Sequence, residues 1–564
     1  MNVLGICDSQ DAGAAIFVNG TLRAAINEER LNRQKLWGGF PMLSIRQVLH
    51  SAGLGPDDVD AVVSGTMITP NLLARAFRGI HQPLRKHSGQ FGYLLNTFIT
   101  YQAMARGMRI PFDLETNIAR LLLKNNLAKL GIRAKLIMQD HHLSHAYSAW
   151  STSPFDSALV VTVDGLGDGL GLTVSVGNRT EGLRLVHRES GFSALTLYYS
   201  RLTEFLGYRP IRDEGKVNAL AGYTDKTPVI DVARRILRHK NGRFNMQNHL
   251  IPASIDRPPY SDLKGYSAEE VAASFQTHLE HEFTAFIRYW IEKTGMHNVA
   301  TAGGFFANVK LNQRIVQMPE VQGFWVFPHM GDGGLAAGGV YAFLHSQPRP
   351  LPNVYLGAKF DEEQMRRALD DSGLTFRRYK NVHKQIAQAL ARGSTVARFN
   401  GAMEYGPRAL GNRSILVRAN DPDTRLWLND RLGRTKFMPF APAVLDERFD
   451  DSFIEGEKVR EASRFMTVSL DCTPDYINTM PGAMHADHTA RPQRVTMDTN
   501  PDFYGILKEY EAITGLPGVV NTSFNMHEEP ITATPDDAVR AFNRAGLDFL
   551  AMGPFMAWKK TGAK

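Results

Sequence analysis

The sequence predicts an α/β protein in which a duplicated α/β domain precedes a second α/β domain of different character. Three observations carry that reading. A unit of buried strand, glycine-bearing turn and second strand occurs twice, in the opening "NVLGICDSQDAGAAIFVNGTLRAAIN" and again in "SALVVTVDGLGDGLGLTVSVGN" at 157–178. A chain of 564 residues is too long for one hydrophobic core. Between the two domains, "HSQPRPLPNVYLG" at 345–357 carries prolines that no helix tolerates, and a helix, strand and glycine-turn pattern restarts beyond it. The expected boundary is near residue 355, giving domains 1–354 and 355–564.

Taken in order, the first element pair is a hairpin, because Asn19-Gly20 between two apolar runs is a strong turn signal. Residues 69–133 are rich in Leu, Ala, Phe and Arg and read as an inserted set of helices with basic outer faces. The composition, 43% hydrophobic and 21% charged, is that of a globular enzyme. The net charge of +7 comes from dispersed Lys and Arg, which suits an anionic small-molecule ligand at least as well as nucleic acid. Cys7 and Cys472 are the only cysteines, so neither a disulfide framework nor a CxxC zinc module is expected, and the compartment is expected to be reducing, hence cytoplasmic. The opening residues carry Asp8 and Asp11 with no basic region before them, unlike a signal peptide. No window approaches the apolar length of a membrane span.

The chemistry concentrates in a few stretches. In "QDHHLSHAYSAW" at 139–150, a helix would put His141 and His145 on one face and turn His142 roughly 100° away. The pair suits a metal ion, a proton relay or a buried helix end, and HxxxH alone does not choose. Three glycine-rich turns accompany it: Asp164 to Gly169 with Asp168, Gly303-Gly304 leading to Asn308, and Gly331-Asp332 with the glycines after it. Such glycines let backbone amides approach phosphate oxygens, and the aspartates can hold a cation bridging them. Two histidines with a carboxylate such as Asp332 form a set suited to Fe(II) or, less selectively, Zn(II). In the second domain, "YGPRALGNRSIL", "RTKFMPFAPAV", "HADHTARPQRV" and "NTSFNMHEEPI" place Arg408, Arg413, Lys436 and Arg491 among small and amide residues rather than on charged helical faces. Cations so placed commonly clamp dense negative charge.

With "NEERLNRQK", "DEGKVNALA", "GGFFANVKLNQRI" and "HMGDGG" added, all in order, the chain resembles the O-carbamoyltransferases of antibiotic biosynthesis, of the tobramycin, cephem and nodulation-protein U type, over nearly its whole length. The resemblance implies an N-terminal domain of TsaD/Kae type with an actin-like ATPase fold and a C-terminal YrdC-like domain. It implies that carbamoyl phosphate and ATP, with Mg(II), give carbamoyl adenylate in the second domain, and that the carbamoyl group passes to an acceptor hydroxyl at an iron-bearing site in the first. By motif it assigns metal binding to His141 and His145, with Asp332 and then Asp164 as carboxylate partners. Asp168, Lys216, Gly303, Gly304, Asn308, Gly331 and Asp332 fall to the nucleotide, and Arg408, Arg413, Lys436, Arg491, Asn521 and Ser523 to carbamoyl phosphate and ATP. The expected partners are carbamoyl phosphate, ATP and a small-molecule acceptor, without membrane or nucleic acid, and a homodimer is the default.

Two positions depart from the family pattern. Where relatives turn with a His-Asp pair, this chain has "SQDAGAA", so Gln10 replaces a catalytic histidine beside Asp11, with Asp164 the other catalytic candidate. Glutamine cannot take a proton near neutral pH, which leaves Asp8, Asp11 or His142 as replacement bases, or else an amine acceptor. His488 stands where relatives tend to carry glycine. Competing readings are tRNA threonylcarbamoylation, which would need the basic region with Arg75, Arg78, Arg85, Lys86, Arg106 and Arg109 as an RNA surface, and a nucleotide-binding regulator without turnover.

Overall fold

The computed structural model describes residues 1–70, Leu72, Arg75, 113–246 and 258–560, and the chain divides into two compact units. The first contains Met1–Glu29 and Leu36–Leu351; the second contains Arg30–Lys35 and Pro352–Lys564.

The first unit repeats one topology. Strands β1 (Asn2–Cys7), β2 (Gly13–Val18) and β3 (Thr21–Asn27) form an antiparallel meander, and β4 (Ala61–Ser64) and β5 (Lys135–Met138) extend it in parallel on the β1 side. In the second sheet, β6 (Ser157–Gly167), β7 (Leu170–Asn178) and β8 (Gly182–Ser190) form the meander, and β11 (Asn298–Ala302) and β12 (Gly323–Val326) the parallel extension from β6. Order and directions match strand for strand, so the duplication is an actin-like one, and the hairpin β9 (Leu237–Lys240) and β10 (Arg243–Met246) is inserted in the second copy. Asn19 and Gly20 both have positive φ, as the β2–β3 turn requires. The expected helical insertion at 69–133 falls mostly outside the described residues; within it the helix Asp113–Ala128 is described.

Two helices, His141–Thr152 and Leu335–Phe343, are buried almost all round and pack on each other. The first packs on the second sheet and the second on the first sheet, where it leaves no room for side chains: a Cβ on Gly5 would lie 1.8 Å from the Ala336 carbonyl oxygen.

In the second unit, eight strands run in the order β13 (Thr375–Arg378), β22 (Phe555–Trp558), β21 (Phe549–Met552), β14 (Val396–Phe399), β15 (Arg413–Val417), β20 (Gly518–Ser523), β16 (Ala441–Leu445) and β19 (Gln493–Val495). The helices Val382–Ala391 and Pro501–Thr514 cover one face, burying Ile386, Leu390, Phe503, Leu507 and Tyr510 against Val396, Leu416 and Val519. Each such fully buried side chain contributes about 1.5–3 kcal/mol. No helix among the described residues is long and apolar enough to cross a membrane.

Candidate functional site

The helix His141–Thr152 starts where Asp140 accepts a hydrogen bond from the Leu143 amide at 3.0 Å and Asp168 accepts one from the His141 amide at 2.9 Å. One turn apart, the His141 and His145 rings stand edge to face with centroids 4.8 Å apart. Both Nε2 atoms converge on Asp164 Oδ2, at 3.2 and 2.8 Å, and lie 3.7 and 3.9 Å from Asp332 Oδ1. The four ligand-type atoms fall within 4.8 Å of one another. Asp164 comes from β6, its other oxygen fixed by the amides of Gly165 at 2.8 Å and Gly304 at 3.2 Å; Asp332 follows the turn after β12 and accepts from Ser9 Oγ at 2.7 Å. Gly167 is obligatory here, since a Cβ on it would lie 2.1 Å from the His141 ring.

The charges of these four groups compete. Burial and the neighbouring Asp164 charge push the Asp332 carboxyl well above its usual range. Burial alone would lower His141, but Asp332 and Asp164 beside it raise it to about 9. Burial would likewise raise Asp164, yet the two imidazoles hold it well below its usual value. Two carboxylates and two imidazoles so close together are electrically satisfied either by protons or by a divalent cation, and imidazole nitrogen with carboxylate oxygen is a donor set for Fe(II) or Zn(II). The residues present therefore fit a metal ion.

His142 is different. It lies in the core between β6 and β7, with Nδ1 2.7 Å from Thr162 Oγ1 and Nε2 3.1 Å from the Leu170 carbonyl, and burial, then the nearby His141 and His145, lower it to about 3. It is a neutral packing group. Asp8 is likewise committed, its two oxygens bound by Arg75 Nε at 2.9 Å and Nη2 at 3.0 Å. Of the three replacement bases considered from sequence, only Asp11 is left, on a turn where its φ is 54°. Gln10 is half-buried beside Ser9, whose hydroxyl touches Asp332, so the departing turn borders the cluster. The buried Arg75 also cannot serve an RNA surface, and the other five basic residues of that surface lie outside the described residues.

Other expected positions have structural duties. Asp168 is fully buried and accepts from the amides of Met67, Ile68 and Thr69 as well as His141, which leaves no oxygen for a phosphate-bridging cation. Asn308 caps the helix Val309–Val316 and joins Gln276 and Asn218 in a side-chain network. Lys216 pairs with Asp213 at 3.1 Å. Gly303 takes φ 109° against β6, where a Cβ would meet the Val163 carbonyl at 2.0 Å, and Gly304 and Gly331 adjoin each other next to Asp164.

A second candidate site lies in the C-terminal unit. Arg408, Arg434 and Arg491 gather in a recess without a carboxylate pairing any of them among the described residues. Burial and then Arg408 and Arg434 drive Arg491 well below the usual guanidinium range; burial and Arg434 bring Arg408 down to about 10, and burial alone brings Arg434 there. Three neighbouring half-buried cations, with no carboxylate pairing them among the described residues, make a candidate anion site. The loop carrying Arg408 is tied down: Glu404 Oε1 accepts from the amides of Leu410 and Asn412 at 2.8 Å and of Arg413 at 3.2 Å, Gln493 Nε2 donates to the Leu410 carbonyl, and Asn521 Nδ2 to that of Ala409. Asn521 is thus a loop anchor. Lys436 is exposed, and Ser523 is half-buried at the end of β20.

Arg413 is not brought to this recess. It is fully buried, lies 3.7 Å from the Phe399 ring centroid, and donates to the carbonyls of Asn400, Asn412, Ala358 and Gly401. Arg434 is the residue that sequence reasoning missed, although it opens a stretch already singled out, two positions before Lys436. His488 has φ 60°, the left-handed conformation that glycine adopts most readily.

The carbamoyltransferase N-terminus family matches residues 2–341, and the carbamoyltransferase C-terminus family matches residues 387–559. The chain belongs to the carbamoyltransferase family. An uncharacterized protein of Methanocaldococcus jannaschii is 29% identical over 99% of this carbamoyltransferase and 99% of its own length. Nodulation protein NolNO of Sinorhizobium fredii is 30% identical, covering 98% of this chain and 79% of that one, and nodulation protein U of Bradyrhizobium diazoefficiens is 26% identical over 93% and 92%. Among solved structures, full-length HypF in its phosphate- and nucleotide-bound form aligns with TM-score 0.36 at 12% identity, over 61% of this carbamoyltransferase and 55% of that chain.

Proposed function

We propose that this carbamoyltransferase hydrolyses carbamoyl phosphate to carbamate and phosphate and joins the carbamate to ATP with Mg(II), giving carbamoyl adenylate and pyrophosphate in its YrdC-like C-terminal unit, and transfers the carbamoyl group to a hydroxyl of a small-molecule acceptor in its N-terminal unit. The observation that carries the first half is the recess of Arg408, Arg434 and Arg491, whose uncompensated charge suits a small dianion. Lys436 and Ser523 stand near in sequence to its walls as further phosphate contacts. The second half rests on the four-residue cluster of the other unit. There His141, His145, Asp164 and Asp332 would hold Fe(II) or Zn(II), and the bound ion would supply positive charge to a developing oxyanion. The chain's own residues fix that geometry: Gly165 and Gly304 amides orient Asp164, and Ser9 orients Asp332. The two thiols are buried and unpaired, which suits the cytoplasm.

The test is pyrophosphate release that requires both carbamoyl phosphate and ATP, followed by mass spectrometry of candidate acceptors for a carbamoyl adduct. Pyrophosphate release independent of carbamoyl phosphate, or none at all, refutes the reading and leaves a nucleotide-binding regulator.

Gln10 decides which acceptor the site favours. A positioned base contributes roughly 10²–10⁴-fold to attack by an alcohol, and an unprotonated amine needs less help. Gln10→His is expected to raise transfer to an alcohol several-fold if no base stands there, and to lower it if Gln10 positions the acceptor while Asp11 acts as base. Rates across pH distinguish the two outcomes, and an unchanged profile would remove position 10 from the site.

A further inference from the structure

Residues Arg30–Lys35 occur early in the chain yet pack as part of the C-terminal unit. They belong to "NEERLNRQK", a stretch that the two candidate sites leave without a role. Arg30 is buried, and its Nη2 donates to the Gly406 carbonyl at 2.9 Å, two residues before Arg408. Arg33 reaches a different loop: Nη1 donates to the Ile531 carbonyl and Nη2 to that of Pro530, both at 2.7 Å, while Nε lies 3.6 Å from Asp537. That loop leaves the end of β20 and returns where the Thr532 amide donates to the Phe524 carbonyl at 3.0 Å.

We propose that Arg30 and Arg33 are positioning residues for the anion recess, Arg30 fixing the loop that carries Arg408 and Arg33 fixing the loop that follows Ser523. This rests on the reading of the recess as the carbamoyl phosphate site. The physical need is plain: Arg408, Arg434 and Arg491 repel one another before an anion arrives, and repulsion is relieved by any backbone movement that carries Arg408 outward. Gly406, at φ 137°, offers no side chain to resist that movement, so its carbonyl is the natural point of restraint. A guanidinium on a buried carbonyl forms a charge-assisted bond stronger than a neutral one, and a planar fork reaching two successive carbonyls, as Arg33 does, fixes orientation as well as distance. The recess is then preorganised for its ligand.

The experiment measures initial rates of pyrophosphate release against carbamoyl phosphate at saturating ATP, for Arg30→Ala, Arg30→Lys and Arg33→Ala. Arg30→Ala is expected to raise KM for carbamoyl phosphate roughly tenfold or more with a much smaller change in kcat, the consequence of losing a buried charge-assisted bond. Arg30→Lys, which keeps one donor for Gly406, should recover most of that loss. Protection of the fold against heat by inorganic phosphate is measured alongside, and should weaken in Arg30→Ala and Arg33→Ala. An unchanged KM and unchanged phosphate protection in folded Arg30→Ala overturns the proposal, as does a fall in melting temperature and kcat that leaves KM alone. If Arg30→Ala does not fold, Arg33→Ala and Arg30→Lys are judged by the same two readouts. If the wild-type chain releases no pyrophosphate, the functional reading falls, and phosphate protection still decides whether Arg30 and Arg33 organise an anion site.

Discussion

Arg491→Ala is expected to abolish carbamoyl phosphate-dependent pyrophosphate release while leaving the fold at least as stable as before. The two effects have one cause. In the ligand-free recess Arg491 is driven well below its usual range by burial and by Arg408 and Arg434, so its charge is held at a cost to the folded state. For a base whose folded pKa is depressed, the unfolded chain is the better host of the proton, and at neutral pH removal of the guanidinium relieves the folded state. Function runs the other way, since truncating one partner of a desolvated hydrogen-bonded charge pair costs about 2–5 kcal/mol, or at least roughly 30-fold in binding. Arg408→Ala and Arg434→Ala should likewise weaken release; burial, and for Arg408 the neighbouring Arg434 as well, lowers both guanidinium groups to about 10. Lys436→Ala is expected to weaken release less, since the side chain is exposed and an anion held there keeps more of its hydration. Thermal melts and pyrophosphate assays on the same preparations check both halves. A variant that loses activity together with several degrees of melting temperature would mean that Arg491 braces the fold, as Arg413 does.

The contrast between Arg413 and Arg434 marks where sequence reading stops. Patterns that follow from local geometry were legible: Asn19-Gly20 specifies a hairpin, the strand, glycine-turn, strand unit repeats, and histidines four apart share a helix face, so the duplicated α/β fold and the convergence of His141 with His145 follow from spacing. What a cation meets in the folded chain is not local. Arg413 lies within β15 and points at four carbonyls supplied by residues before and beside it, whereas Arg434 meets no carboxylate among the described residues. Both are arginines among small residues, and only the tertiary structure separates brace from ligand site. The same holds for Asp168 and Asp332. Each sits in a glycine-rich turn, yet Asp168 spends its oxygens on backbone amides and Asp332 turns one toward two imidazoles. Asp8 reads as a base from sequence alone, yet Arg75, 67 residues on, binds both of its oxygens.

The second large effect is expected in the other unit. The wild-type chain is expected to bind a transition metal near stoichiometrically and His141→Ala/His145→Ala to lose it, while carbamoyl phosphate-dependent pyrophosphate release persists. Imidazole is what distinguishes this cluster from an ordinary pair of carboxylates. Without it Asp164 and Asp332 offer only hard oxygen donors, which suit Mg(II) and hold Fe(II) or Zn(II) weakly. The carboxylates themselves would also lose orientation, because Asp164 Oδ2 bonds to both rings at 3.2 and 2.8 Å. A metal bound to the folded chain alone stabilises it by about 4 kcal/mol at a free concentration 1,000 times its Kd, so chelation should lower the melting temperature of the wild type and leave that of the double variant unmoved. Elemental analysis of untagged protein gives the direct answer, and the single variant His145→Ala gives the functional one: adenylate formation retained, transfer to the acceptor lost. Retained adenylate formation follows only if the arginine recess of the C-terminal unit is self-sufficient for the first step, since no histidine of the cluster belongs to that unit. Equal metal in wild type and double variant would make these histidines packing groups like His142, and loss of pyrophosphate release in a folded His145→Ala protein would join the two half-reactions that the two sites otherwise keep apart.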